Sequence, residues 1–194
     1  VGFETPISWS SQNISGMVAV ELNRSFPSGS WETIGEAPVG SGVLSWIPNE
    51  PITTTARLRV MSLESPTVGD SSNNNLAIVQ PTLTFSSPNG GQILYVGSTV
   101  GMTWTSNVPE NISIQINRNY PGGEWETLFA STENDGGQNW AVAGAVTEHA
   151  RFRIAGTVHS SISDTSDADV VIAAPSITML SPSRHPDMAA TSTF

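Results

Sequence analysis

Asn117-Arg118-Asn119-Tyr120-Pro121-Gly122-Gly123-Glu124-Trp125-Glu126-Thr127-Leu128 decides the reading of this chain, because the chain spells it twice. The earlier copy is Asn23-Arg24-Ser25-Phe26-Pro27-Ser28-Gly29-Ser30-Trp31-Glu32-Thr33-Ile34, at an offset of 94 residues. Just before the later copy, Ile112, Ile114 and Ile116 alternate with Ser113, Gln115 and Asn117. Alternation with period two gives a strand one buried and one wet face, and Pro-Gly-Gly then supplies a turn. The stretch therefore reads as strand, tight turn, strand.

The same register runs through the rest of the sequence. Trp46 falls on Trp140, Ala56 to Val60 on Ala150 to Ile154, Asp70 on Asp164, and Leu76-Ala77-Ile78 on Val170-Val171-Ile172. Ile7 to Ser11 matches Met102 to Ser106 at an offset of 95. So many matches in one register mark a tandem duplication. The second copy opens with Pro81-Thr82-Leu83-Thr84-Phe85-Ser86-Ser87-Pro88-Asn89-Gly90-Gly91, which nothing in the first copy matches. Pro175-Ser176-Ile177-Thr178-Met179-Leu180-Ser181-Pro182 does match Pro81 to Pro88, and after Pro182 the match fades. The expected organisation is a first module over 1–80 without its first strand, a complete module over 81–174, and an orphan first-strand segment with tail over 175–194.

Strands are expected near 82–86, 92–96, 99–105, 111–118, 125–129, 138–142, 150–158 and 168–174. Seven or eight short strands in about 94 residues fit a two-sheet sandwich of the immunoglobulin or fibronectin III kind. The fold class is thus all-β, two tandem sandwiches, with a closed barrel as the alternative. The chain has no cysteine, which removes the immunoglobulin disulfide, any thiolate metal site and any cysteine nucleophile. Only 12% of its 194 residues are charged, the net charge is −10, and all seven bases are arginine. Such a chain offers no polycationic surface to nucleic acid. No apolar run is long enough for a membrane span. The chain opens on Val1, as expected of a chain from which a leader has been removed or of a fragment of something longer.

Ser87-Pro88-Asn89-Gly90-Gly91, Tyr95-Val96-Gly97-Ser98-Thr99 and Met102-Thr103-Trp104-Thr105-Ser106 together resemble the opening of a class of extracellular immunoglobulin-like repeats. These are related to the N-terminal domain of fungal cell-wall Ser/Thr-rich GPI-anchored proteins. The resemblance covers the second copy and, less its first strand, the first. It implies tandem modules at an extracellular or cell-surface location.

Candidate sites are few. Trp9, Trp46, Trp104 and Trp140 sit within strand patterns and are expected in the cores, whereas Trp31 and Trp125 follow the Pro-Gly turn and are the candidates for stacking on a glycan. Asp164, Asp167 and Asp169 are expected to form a solvated acidic turn, with a calcium site as the lesser alternative and no metal site assigned. Arg57/Arg59 and Arg151/Arg153 point off one face of a strand, as cross-strand ion pairing requires. Asn13, Asn23 and Asn111 open Asn-x-Ser glycosylation sequons. His149, His159 and His185 lack zinc-ligand spacing, and no nucleophile elbow or phosphate loop occurs, so a non-enzymatic chain without cofactor is expected. A sandwich short of an edge strand should accept one. The orphan segment, with Ile177 and Met179 where the complete copy has Leu83 and Phe85, is the expected donor. Between chains this gives a head-to-tail filament subunit. A third copy of a longer array, or a carbohydrate-binding or adhesive spacer from a surface protein or hydrolase, is the alternative.

Overall fold

The computed structural model describes residues 1–180. These divide into two compact units, one of Val1–Thr82 with Ser106–Pro109, the other of Leu83–Thr105 with the residues from Glu110 onward. Both are built of strands, and no α-helix occurs among the described residues. No described helix is long and apolar enough to cross a membrane.

Unit 1 contains β1 (Thr5–Ser8), β2 (Met17–Asn23), β3 (Glu32–Pro38), β4 (Val43–Trp46), β5 (Thr53–Ser62), β6 (Gly69–Ser71) and β7 (Leu76–Ile78). One sheet is β3-β2-β5-β6, with β7 also on β5; the other is the pair β1-β4. Unit 2 contains β8 (Leu83–Ser87), β9 (Ile93–Tyr95), β10 (Thr99–Ser106), β11 (Ile112–Asn117), β12 (Trp125–Thr132), β13 (Gly137–Ala141), β14 (Thr147–Gly156), β15 (Ser163–Thr165) and β16 (Val170–Ala173). Its sheets are β13-β10-β8 and β12-β11-β14-β16-β9, with β15 on β14. β9 runs parallel to β16, whereas β14 runs antiparallel to β11, β15 and β16, and β5 to β2, β6 and β7. Each unit is a two-sheet sandwich, as the alternation predicts.

The period-two pattern sorts the faces. Ile112, Ile114 and Ile116 are fully buried, as are Phe152 and Ile154 on β14 and Val170 on β16. β8 brings Leu83 and Phe85 into the same core, 7% and 1% exposed. The Phe85 ring lies 6.1 Å from that of Phe152, which in turn meets Trp140 edge-on at 5.7 Å. Three aromatic rings thus plug the interior between the two sheets, the arrangement that aromatic quadrupoles favour.

The repeated Asn-Arg-x-aromatic-Pro-x-Gly text is a turn device. In unit 2 the Asn117 amide nitrogen donates to the Gly123 carbonyl at 2.6 Å, and its oxygen accepts the Asn119 N–H at 2.9 Å. In unit 1 Asn23 does the same with Gly29 at 2.7 Å and Ser25 at 3.0 Å. A Cβ on either glycine would strike the asparagine oxygen, so the closing residue has no side chain.

Two β-strands carry no apolar alternation and were not foreseen. β6 is Gly-Asp-Ser and β15 is Ser-Asp-Thr, each paired to the long strand beside it through backbone bonds alone.

Candidate functional site

β8 has no counterpart among the described residues of unit 1. β10 lies between β13 and β8 in its sheet, whereas its equivalent β1 pairs with β4 only. β16 has β14 on one side and β9 on the other, whereas its equivalent β7 pairs with β5 only. Where β8 would pass, unit 1 has a groove of about 940 Å³. Its walls are β1 on one side and β6 with β7 on the other, and Val18, Trp46, Leu58 and Val60 lie between them.

Several side chains that are buried in unit 2, which has β8 and β9, are less buried at their equivalents in unit 1. Phe152 and Ile154 are fully buried, while Leu58 and Val60 are only half-buried. Trp104, Trp140 and Val170 are buried, while Trp9, Trp46 and Leu76 are half-buried. The expectation of a core position thus holds for Trp104 and Trp140, and only partly for Trp9 and Trp46, whose indoles line the groove. Trp9 still satisfies its ring N–H on the Val39 carbonyl at 2.9 Å. An unpaired strand edge presents backbone N–H and C=O groups to which a further strand can pair.

The acidic turn belongs to the same geometry. Asp164 Oδ2 accepts the backbone N–H of Phe85 at 2.8 Å, and Oδ1 accepts that of Thr165 at 2.9 Å. Asp167 accepts the Asn89 side-chain amide at 2.6 Å, while Asn89 takes the Asp167 and Ala168 N–H groups on its own oxygens. Asp169 bonds Arg151 at 2.6 Å and His149 at 3.1 Å. The Arg151 guanidinium and then His149 hold its carboxyl below the usual range. The three aspartates therefore hold three different partners, Phe85 on β8, Asn89 in the Ser-Pro-Asn-Gly-Gly segment and Arg151 on β14, instead of converging. No group of three His, Cys, Asp or Glu that would suit a metal is present among the described residues. In unit 1 the Asp70 side chain keeps, among the described residues, only the neighbouring bond, from Ser71 N–H at 2.9 Å, and Asp70 lines the groove.

Trp31 and Trp125 are half-buried, and each has a ring face covered. The Arg59 guanidinium lies 4.3 Å over Trp31, and Arg153 lies 4.5 Å over Trp125. Arg57 over Phe26 and Arg151 over Tyr120, at 4.8 and 5.0 Å, extend each stack, and Phe26 and Tyr120 meet the indoles edge-on. Arg59 also pairs with Glu21 directly opposite on β2. The cross-strand ion pair expected of the arginines is thus present in unit 1, while in unit 2 Arg153 bonds the neutral Gln115 at 3.0 Å. The turn that precedes each tryptophan lays the indole back along the sheet, under an arginine from the next strand but one.

Asn13 and Asn111 are exposed. Asn23 is corrected: it is 1% exposed with its amide nitrogen committed to the turn, so a glycan there is incompatible with this packing. Glu110 is pulled upward by burial, but bonds and charge from His159 outweigh this and hold its carboxyl below the usual range.

Ile177 and Met179, the expected donor residues, belong to no strand here and are 101% and 83% exposed. Leu180 beside them is 88% exposed. The remainder of the orphan segment, from Ser181 onward, and His185 lie outside the described residues.

No family model matches the sequence, and no curated protein does. Among solved structures the chain is similar to one described as "Structures of Clostridium thermocellum CbhA fibronectin(III)-like modules". That alignment has 12% identity and a TM-score of 0.35, over 95% of this chain and 91% of the other. The sandwich assignment rests on the strands and their pairing.

Proposed function

We propose that this chain is a non-catalytic structural subunit of an extracellular or cell-surface filament, of the immunoglobulin-like repeat type its Ser-Pro-Asn-Gly-Gly motif resembles. Its units are joined head to tail, the Pro175–Leu180 segment of one copy entering the groove of unit 1 in the next. The observation that carries this reading is the match between vacancy and segment. The groove lies where unit 2 holds β8, and the exposed segment repeats the β8 sequence with Ile177 and Met179 in place of Leu83 and Phe85.

The energetics point the same way. Ile177 and Met179 stand in water, and burying each side chain fully stabilises by about 1.5–3 kcal/mol. The strand would also pair the open edge of β1. The contact is heterologous, since tail and groove are different surfaces, so nothing obliges it to close into a dimer. The glycan-binding alternative is weaker, because the two candidate indoles each have a face occupied by arginine.

Sedimentation velocity over a range of concentrations tests this. The full chain should form a concentration-dependent ladder of species, and Ile177→Asp with Met179→Asp should leave monomer. A single monomeric boundary for the full chain at high concentration would reject the proposal.

A further inference from the structure

β8 is the last strand of its sheet, so one of its edges faces away from β10. An edge N–H left bare in a half-buried position costs the desolvation of a polar group. Unit 2 meets that cost at one point: the N–H of Phe85 goes not to a strand but to the Asp164 carboxylate, 2.8 Å away. That carboxylate is itself held, because its other oxygen accepts the Thr165 N–H.

Unit 1 carries the same device with its client missing. Asp70 stands 94 residues before Asp164, on β6 as Asp164 is on β15. It is held by the corresponding bond to Ser71 N–H at 2.9 Å. Its second oxygen has no hydrogen-bond partner among the described residues, and the residue lines the groove.

We infer that Asp70 is a recognition residue of the acceptor groove, and that it takes the backbone N–H of Met179 from the donor segment of a second copy. The inference rests on the donor-strand reading and adds the polar contact to it. Side-chain burial sets the register: Ile177 and Met179 turn inward together, and a slip of one residue would turn both to solvent. In that register Met179 stands where Phe85 stands in unit 2, so its N–H is the one presented to Asp70. A hydrogen bond to an ionised acceptor is among the stronger neutral-to-charged contacts available to a backbone, and the bond is indifferent to the identity of the side chain. Apolar packing thereby selects the segment while Asp70 secures its main chain.

The test uses synthetic peptides of residues 175–194, binding to the full chain carrying Ile177→Asp and Met179→Asp so that its own tail does not compete. In one peptide the amide N–H of Met179 is replaced by an ester oxygen. In a control the ester replaces the amide of Thr178. Asp70→Ala and the Met179 ester should each weaken binding about tenfold. Together they should weaken it no more than either alone, because each removes one half of the same bond. The Thr178 ester should act independently of Asp70. Losses at Asp70 and Met179 that multiply would overturn the assignment while leaving the donor strand standing. Failure of the unmodified peptide to bind would overturn the donor-strand reading itself. Asp70→Asn serves as a second variant that keeps the shape and removes the charge, and it should fall between wild type and alanine.

Discussion

Unit 1 and unit 2 are the same sandwich except that unit 1 has no equivalent of β8 or β9 among the described residues, and the two units differ in the burial of equivalent side chains. Val18, Val20 and Leu22 on β2 are as well buried as Ile112, Ile114 and Ile116 on β11, because the strands that cover them are present in both units. Leu58, Val60, Trp46 and Leu76 are less buried than Phe152, Ile154, Trp140 and Val170, in a unit that has no equivalent of β8 or β9 among the described residues. A duplicated module therefore contains its own control.

The sharpest way to break that comparison is to truncate equivalent core residues. Phe152→Ala, in a closed core, should lower the stability of unit 2 by about 3–5 kcal/mol. Leu58→Ala, beside the open groove, should cost unit 1 about 1 kcal/mol, since the side chain is half in water already. Urea denaturation followed by tryptophan fluorescence reads both. Equal losses would mean that the groove is closed in solution.

A smaller effect separates the two aspartates. Asp164→Ala strips the acceptor from the Phe85 N–H and should destabilise unit 2 by about 1–3 kcal/mol. Asp70→Ala removes a carboxylate without such a client and should leave the thermal transition of the monomer where it was. Calorimetry of the two variants distinguishes them.

The smallest difference is in acid. Asp169 is paired with Arg151, and its lowered folded pKa means that its stabilising contribution is present above the ordinary carboxylate pKa and is lost as pH falls through the folded value. Unit 1 has Asn75 at this place, bonded to Arg57 at 2.8 Å without a titrating group. Asp169→Asn should therefore flatten the acid limb of the stability profile of unit 2, and Asn75→Ala should leave the pH dependence of unit 1 as it is. A melting-temperature series from neutral to acid pH measures both.

The fold was largely legible because duplication supplies a second reading of every strand. Alternation at Ile112, Ile114 and Ile116 marks a core strand, and the segment from Pro81 to Gly91, unmatched in the first copy, marks where the two units differ. β6 and β15 were illegible since Ser, Asp and Thr at an edge bury nothing, so no apolar signal marks them. The aspartates were read as a surface turn because charge clustering carries no information about which backbone N–H lies across the core. The turn before Trp31 and Trp125 marks them as the exposed pair, and only the strand orders β3-β2-β5 and β12-β11-β14 reveal that an arginine from the next strand but one lies over each. Asn23 was read as a sequon, although its duplicate Asn117, followed by Arg118 and Asn119 without Ser or Thr, hinted that the asparagine serves the turn.

The account turns on whether the β8-like segment of one copy closes unit 1 of another. Hydrogen–deuterium exchange of the full chain, followed by mass spectrometry at rising protein concentration, reads this at the two places that would meet. The peptides covering Thr5–Ser8 and Pro175–Leu180 should gain protection together as concentration rises, and lose it together in Ile177→Asp with Met179→Asp. Rapid exchange of both, unchanged from the lowest to the highest concentration, would contradict it.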